Sequence, residues 1–381
     1  MKKIDLLIMY FCAALALCLM YAPQPIAPIF ESELGISKAK AGLFITAIML
    51  PLAFASIIYG YILEKVSIKK LLTIAFFLLG GSEIVFGLTK SYFWMLNIRG
   101  FQGLLLPIVL TGVMSYISQT SSKDQVASAI GKYIGITIIG GFLGRFLSGF
   151  FSDYFGWNFF IILLGILMIL VSFLIYKFTS NVTASFTKPK LKDIVLVLKI
   201  PHNFHIYIMI FCAFFAFQAI LNFIPFEIAN LDDKFSGTKT AMMYIGYAFG
   251  VLISFNIKKI VGFFGTPQNA LIIGSTIFLI VLQIFHAQSF WVLFWAMILF
   301  CIGNFIVHAC ASAFVNKMAI DHKGIANGLY VSFYYAGGAL GSFLPGFVYM
   351  NRGWSWFLLV NSIVITISIL LLLHLKYAYQ K

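Results

Sequence analysis

Twelve apolar segments, each long enough to cross a lipid bilayer, dominate this chain of 381 residues. A helix needs about 20 residues to cross about 30 Å of hydrocarbon. With 61% hydrophobic and 10% charged residues, the chain has more apolar surface than a soluble core could hide. The sequence therefore predicts an all-α membrane protein of twelve transmembrane helices. We number the predicted spans 1 to 12 in chain order: 5–29, 40–63, 71–89, 92–119, 126–152, 157–178, 203–229, 240–257, 269–286, 290–316, 324–349 and 355–375.

The twelve spans divide into two related halves. The longest polar stretch, 179–201, predicts a cytoplasmic linker between an N-terminal six-helix bundle (1–178) and a C-terminal one (202–381). A shift of 197 residues places 124–160 on 321–357 as a weak repeat. The matched positions include Gly131 with Gly328, Gly140 with Gly337, Gly144 with Gly341 and Gly149 with Gly346. Two pseudo-symmetric halves of membrane helices predict a secondary transporter whose substrate site lies between the halves.

The distribution of positive charge predicts the orientation of the chain. The formal net charge of +14 does not indicate nucleic-acid binding, because the 26 Lys and Arg are scattered between apolar segments. If the N-terminus is cytoplasmic, seventeen of them fall in inner segments, six in outer loops and three within spans. An excess of Lys and Arg on the cytoplasmic side is the rule for membrane proteins, so both termini are expected inside.

No pattern in the chain indicates an enzyme or a cofactor. The five Cys all lie in apolar segments and show no metal-ligand spacing. The chain also lacks a catalytic constellation and a Gly-rich nucleotide-binding loop ending in Lys and Ser or Thr. The sequence thus predicts neither bound metal nor direct use of ATP.

Three charged residues are predicted at one depth on consecutive spans. Counting from the span ends places Glu83, Arg99 and Arg145 each roughly 10 Å below the outer surface. Charges inside the hydrocarbon are costly and commonly functional, so we expect one Glu83–Arg99–Arg145 cluster. Our hypothesis is that Glu83 takes up and releases a proton beside the two arginines. One alternative is a static ion cluster that fixes spans 3, 4 and 5 together. For Arg99, another is a set of hydrogen bonds to backbone carbonyls of neighbouring helices that holds the bundle together. Glu227 and Asp5 are further candidates for the proton carrier.

The loop between spans 2 and 3 carries an acid beside several bases. Gly60, Glu64 and Lys65 are followed by Lys69 and Lys70. An acid near a helix end with basic neighbours can form a charge latch between helices, which predicts a cytoplasmic gate. The alternative is positive charge that only sets orientation.

Span 5 carries glycines at regular intervals. Gly131, Gly140, Gly144 and Gly149 remove side chains from the helix surface and predict close helix packing, as in small-xxx-small motifs. The alternative is close packing that has no bearing on the direction of transport.

These patterns, together with Arg99, Gln102 and Gly103 in span 4, resemble the major facilitator superfamily over nearly the whole chain. The chain departs from the family's patterns at Glu64, Lys65, Ser67, Arg145 and Ser148. In that family the glycine-rich span 5 is commonest in exporters. The stretch 140–149, with Gly156-Trp157 and the prolines at 23, 25 and 28, resembles bacterial inner-membrane drug or metabolite efflux transporters of the proton-antiporter type.

The resemblance also implies where the substrate binds. Spans 1, 4, 7 and 10 line the cavity in the family, so their polar residues become candidates, with Tyr334 of span 11. The candidates are Tyr21, Gln24, Gln102, Gln218, Asn222, Glu227, Asn304, His308 and Tyr334. For His308 the alternative is a hydrogen bond that serves only packing.

The sequence therefore predicts proton-coupled efflux of a small amphiphilic compound or metabolite by alternating access. The expected partners are that compound, protons and the lipid bilayer, with no nucleic acid, and we expect a monomer in the bacterial inner membrane. One alternative is proton-coupled uptake of a small organic solute. Another is a membrane sensor or scaffold that has lost transport.

Overall fold

The computed structural model describes residues 3–65, 67–122, 125–182, 191–231, 235–318 and 323–378, and every regular element in these ranges is a helix. Spans 1 to 6 are Lys3–Tyr21, Lys38–Lys65, Ile68–Leu88, Tyr92–Thr120, Val126–Phe155 and Trp157–Phe178. Spans 7, 9, 10 and 12 are Pro201–Leu231, Pro267–Ile284, Phe290–Met318 and Trp354–Ala378. Span 8 consists of Gly237–Met242, a 3₁₀ turn Met243–Ile245 and Gly246–Phe264, and span 11 of Lys323–Gly341 and Leu344–Arg352.

Eleven helical stretches in the described residues are long and apolar enough to cross a membrane. They correspond to every predicted span except span 11, which two consecutive helices form. The predicted all-α fold of twelve transmembrane helices is confirmed. In the rest of the text, "outer" and "inner" mean the sides that the sequence predicts to face away from and toward the cytoplasm.

Span 1 is shorter than the predicted 5–29. Its helix ends at Tyr21, and a separate helix, Ala27–Leu34, follows a turn. Pro23 and Pro25 lie in that turn, and proline has no N–H to continue the helical hydrogen bonds. Pro28 lies in the first turn of the second helix, where a missing N–H costs nothing.

Span 11 is broken where the sequence predicts one helix over 324–349. The break falls at Ser342 and Phe343, and Pro345 lies in the first turn of the helix that begins at Leu344. The freed carbonyl oxygen of Ser342 accepts a hydrogen bond from Asn222 Nδ2 at 2.7 Å. A broken helix is tolerated inside a membrane protein when a neighbour satisfies its backbone in this way.

The predicted linker contains structure that the sequence reading missed. A short helix, Leu191–Leu198, lies within 179–201 and packs against spans 7 and 11. Its sequence LKDIVLVL is apolar along most of its length, which a count of polar residues over the whole stretch conceals.

The glycine repeat brings helices into backbone contact in each half. A Cβ on Gly140 or Gly144 of span 5 would overlap the backbone of Ala14 or Cys18 in span 1. The repeat-related Gly337 and Gly341 of span 11 meet the backbone of span 7 at Phe211 and Phe215 in the same way. The repeat therefore encodes the same close packing of two helices in both halves.

The repeat aligns two further pairs of glycines, Gly149 with Gly346 and Gly131 with Gly328, whose surroundings differ. Gly149 touches the backbone of Gly237 in span 8, and Gly346 approaches Ala39 in span 2. Gly131 and Gly328, nearer the inner side, would each leave a Cβ open space to 4 Å among the described atoms. The prediction that Gly131 is a close-packing position is therefore wrong. Gly131 lies nine residues, or two and a half helical turns, before Gly140, so it is not on the face of span 5 that packs against span 1.

Candidate functional site

Glu83 is a wholly buried carboxyl group on span 3. Its Oε2 accepts a hydrogen bond of 2.7 Å from Gln102 Nε2 of span 4. The same nitrogen lies 3.3 Å from Ser82 Oγ. Its Oε1 has no hydrogen-bond partner among the described residues, although the side chain is 0% exposed. A buried carboxyl group with one free oxygen is able to gain and lose a proton without breaking its other hydrogen bond.

Arg99 is joined to Glu83 through Gln102. Its Nη1 donates to Gln102 Oε1 at 3.0 Å, three residues along the same face of span 4. The other bonds of its guanidinium go to backbone carbonyl oxygens of span 1 and span 2: Leu19 at 3.0 Å, Met20 at 2.6 Å and Phe44 at 3.2 Å. Arg99 therefore ties three helices of the N-terminal half together, and Gln102 serves that network rather than an open cavity.

Arg145 lies outside the Glu83 network, so the expected cluster of three charges is wrong. Its Nε donates to Gln24 Oε1 at 2.6 Å, and its Nη1 to the carbonyl oxygen of Gly141 at 2.8 Å. The guanidinium carbon lies 3.8 Å from the centre of the Tyr21 ring. Counting along helices gives depth but not rotation, and Arg145 points toward the C-terminal half instead of toward spans 3 and 4.

The partners of Arg145 continue into the C-terminal half. The rings of Tyr244 and Tyr247, both on span 8, are centred 5.2 and 4.6 Å from its guanidinium carbon. Gln24 Nε2 lies 3.3 Å from Asn222 Oδ1 and 3.4 Å from Gln218 Oε1 on span 7. These four predicted residues, Arg145, Gln24, Gln218 and Asn222, thus form one buried polar layer between the halves. We call it the inter-half layer.

Further hydrogen bonds join the halves at the level of this layer and on its outer side. Thr46 Oγ1 of span 2 lies 2.8 Å from Ser342 Oγ and donates to the carbonyl oxygen of Ala339 at 2.9 Å. At the outer end of span 5, the Asp153 carboxylate accepts from the backbone N–H groups of Gly237 and Thr238 at 2.7 and 2.9 Å. Together with the contact between Gly149 and Gly237, these hydrogen bonds describe a bundle that is closed on its outer side.

Three aromatic side chains, His308, Tyr334 and Tyr335, lie on the inner side of the inter-half layer. Each of them is half-buried. Tyr330 Oη lies 2.9 Å from His308 Nδ1, and the Tyr334 ring is centred 4.7 Å from the imidazole. Asn304 is buried nearby on span 10, and its Oδ1 has no hydrogen-bond partner among the described atoms.

The other candidate carboxyl groups lie near the two surfaces. Glu227, half-buried on span 7, accepts a hydrogen bond from Tyr349 Oη, and Lys38 Nζ lies 4.8 Å from the Tyr349 ring centre. On the nearby helix Ala27–Leu34, burial raises the pKa of the Glu31 carboxyl, and the charge of Lys38 partly offsets that rise. Asp5 accepts from Tyr116 Oη at 3.1 Å at the inner end of span 1.

The structure describes only part of the predicted gate loop. The side chains of Glu64 and Lys65, and the surroundings of Gly60, lie outside what the structure describes. Lys70 contributes its backbone N–H to the Ser67 hydroxyl that caps span 3, and Lys69 Nζ lies 5.6 Å from the centre of the Tyr176 ring. The latch therefore stays a prediction.

Sequence reasoning missed several residues of the site. Tyr244 and Tyr247 are two of 18 Tyr in the chain, but they are three residues apart, so they share one face of span 8. Thr46 and Asp153 gave no signal, because their roles depend on how the halves meet.

Comparisons with known proteins agree with this architecture. A family model described as Major Facilitator Superfamily matches residues 9–319. A protein of Buchnera aphidicola named uncharacterized transporter is 23% identical over 94% of this chain and 88% of its own. The quinolone resistance protein NorA of Staphylococcus aureus is 22% identical over 84% of each chain. The crystal structure of the nucleoside transporter NupG superposes with a TM-score of 0.78 at 16% identity, covering 100% of both chains.

Proposed function

Because the chain belongs to the major facilitator superfamily and is therefore a membrane transporter rather than an enzyme, we propose that it exports a small amphiphilic compound in exchange for protons. The compound binds in the central cavity between the halves. Alternating access then requires that the outer contacts around Gly149 and Asp153 part while the inner ends approach each other.

The observation that carries proton coupling is the free oxygen of Glu83. The carboxyl group is wholly buried, its Oε1 has no partner among the described residues, and Gln102 connects it to Arg99. Protonation of Glu83 removes a negative charge from this network, so that the Arg99 charge is no longer balanced. Such a change is able to shift the balance between two conformations of the bundle.

Two observations favour export. Span 5 packs against span 1 through Gly140 and Gly144 with backbone contact, which supports a seal against leakage. One relative is named for resistance to quinolones, and removal of a compound from the cell is one way in which a membrane transporter produces resistance.

Transport by inside-out membrane vesicles tests the proposal. We suggest three naphthalene compounds of different charge: 2-naphthalenesulfonate, 2-naphthalenemethanol and 2-naphthylmethylammonium. An acidic lumen should drive accumulation of at least one of them above the level in vesicles without this protein, where the amine alone collects passively, and a proton ionophore should abolish the excess. Depletion of the lumen instead would indicate proton-coupled uptake, and no response to the proton gradient would favour a scaffold.

Replacement of the carboxyl groups then locates the proton. Glu83→Gln should abolish the response to the proton gradient and leave compound binding intact. Glu227→Gln is the matched control at the outer surface and should retain a clear response. If Glu83→Gln transports normally and Glu227→Gln does not, the proton site is Glu227.

A further inference from the structure

Arg145 carries a positive charge that the described part of the chain does not balance. It is 0% exposed, and its hydrogen-bond partners are the amide oxygen of Gln24 and the carbonyl oxygen of Gly141, both neutral. No acidic side chain forms an ion pair with it in the described residues. A buried charge without a counter-charge is costly, and the surrounding rings compensate only part of that cost.

The geometry leaves one donor of Arg145 free. Its Nη2 is buried and has no hydrogen-bond partner among the described residues. Nη1 donates to the carbonyl oxygen of Gly141, one turn nearer the inner side, so the guanidinium is directed inward along span 5. The repeat aligns Arg145 with Ser342, and Tyr334 lies eight residues, or about 12 Å, farther inward on span 11.

Aromatic rings surround the same guanidinium. Tyr21, Tyr244 and Tyr247 come within 3.8, 5.2 and 4.6 Å of its central carbon, measured to their ring centres. Farther inward, His308 and Tyr334 form a second aromatic pair with ring centres 4.7 Å apart. The site therefore combines an unpaired cation, a free N–H donor and flat apolar walls.

We propose that Arg145 binds the negatively charged group of the transported compound, which is a small aromatic anion such as a carboxylate, sulfonate or phosphate ester. The proposal rests on the transport function inferred above and names its substrate class. The anion accepts a hydrogen bond from Nη2 and balances the guanidinium charge, as carboxylates and phosphates commonly do with arginine. The aromatic part of the compound packs against the tyrosines.

Equilibrium binding to the purified full chain in detergent tests this assignment. Titration calorimetry with the three naphthalene compounds should show 2-naphthalenesulfonate binding about thirtyfold or more tighter than the alcohol and the ammonium compound. Arg145→Gln should abolish that preference. Lys132→Gln removes an exposed cation from the same span and is the matched control, so it should keep the preference. Equal binding of the three compounds, or a preference that survives Arg145→Gln, would overturn the proposal.

A second variant tests the proposal even if Arg145→Gln folds poorly. Arg145→Lys keeps the charge and loses the planar fork, so it should weaken sulfonate binding about tenfold and leave binding of the alcohol unchanged. Sulfonate binding equal to that of the parent would also contradict the proposal.

The outcomes separate this assignment from the transport proposal. Proton-driven movement of only the alcohol or the ammonium compound would uphold transport and refute the anion site. Tight, Arg145-dependent binding of the sulfonate without proton-driven movement would uphold the site and refute proton-coupled export.

Discussion

Two buried arginines at the same predicted depth have opposite surroundings. Arg99 uses all three of its guanidinium nitrogens within the N-terminal half, where carbonyl oxygens of spans 1 and 2 and the Gln102 amide accept its hydrogen bonds. Arg145 lies between the halves, and its Nη2 has no partner among the described atoms. The first arginine is satisfied as a structural element, whereas the second has capacity for a ligand.

The difference follows from which helices each arginine contacts. Spans 1, 2 and 4 can move as one body, so the bonds of Arg99 persist through a rocking motion of the halves. Arg145 contacts span 8 and, through Gln24, span 7, which belong to the other half. Its surroundings must therefore change when the halves move.

The largest expected effect is a loss of stability on Arg99→Gln. The substitution leaves the carbonyl oxygens of Leu19, Met20 and Phe44 buried without their donor, at a cost of about 1–3 kcal/mol for each group. We expect a clear fall in the midpoint of thermal unfolding in detergent, or loss of folded protein. A midpoint equal to that of the parent would show that Arg99 is not the structural element described above.

The next largest effect is expected at Gly149, which lies one turn beyond Arg145 and contacts the backbone of span 8. Gly149→Ala would force the Gly237 backbone of span 8 away, at about 1–3 kcal/mol, and so open the outer side. In a Thr46→Cys background, we expect faster labelling of the new cysteine by a membrane-impermeant maleimide. The native cysteines are buried, and Gly131→Ala, with open space around it, is the matched control. Equal labelling rates in the two variants would argue against a closed outer side.

Arg145→Gln should have the reverse effect on stability to Arg99→Gln. It removes a buried charge that the described residues do not balance, and this gain offsets the two hydrogen bonds to Gln24 and Gly141 that are lost with the guanidinium. We expect a midpoint of thermal unfolding equal to or above that of the parent when no ligand is present. A fall as large as that of Arg99→Gln would show that both arginines are structural.

The sequence predicts the helices far better than their partners. Hydropathy and length locate the spans because lipid demands about 20 apolar residues for each crossing. The interruption after Tyr21 depends on Pro23 and Pro25. The break in span 11 depends on the hydrogen bond that Asn222 donates to the carbonyl oxygen of Ser342. The first of these was available from residue types alone, and the second required the packed structure.

The site shows the same limit. Arg99 and Gln102 are three residues apart, so their contact along span 4 follows from helix geometry. The depth of Arg145 follows from the position of span 5, but its rotation toward Tyr247 does not, because every neighbour that decides it lies elsewhere in the chain. Contacts within one helix are readable from sequence, and contacts between halves are not.

The smallest effect is expected at Asp153, where the region of Arg145 reaches the outer surface. Its carboxylate accepts hydrogen bonds from Ser236 Oγ and from two backbone N–H groups at the start of span 8. An anion there also interacts favourably with the helix N-terminus. Asp153→Asn keeps one acceptor oxygen and loses the charge, so it should weaken outer closure by about 0.5–1 kcal/mol. Labelling of Thr46→Cys should rise two- to fivefold, less than with Gly149→Ala.

The Arg99 network should be unaffected by Asp153→Asn, so the thermal midpoint should stay within about 2 °C of the parent. A large fall in that midpoint would mean that the two regions are coupled, and that Arg99 is not confined to a rigid half.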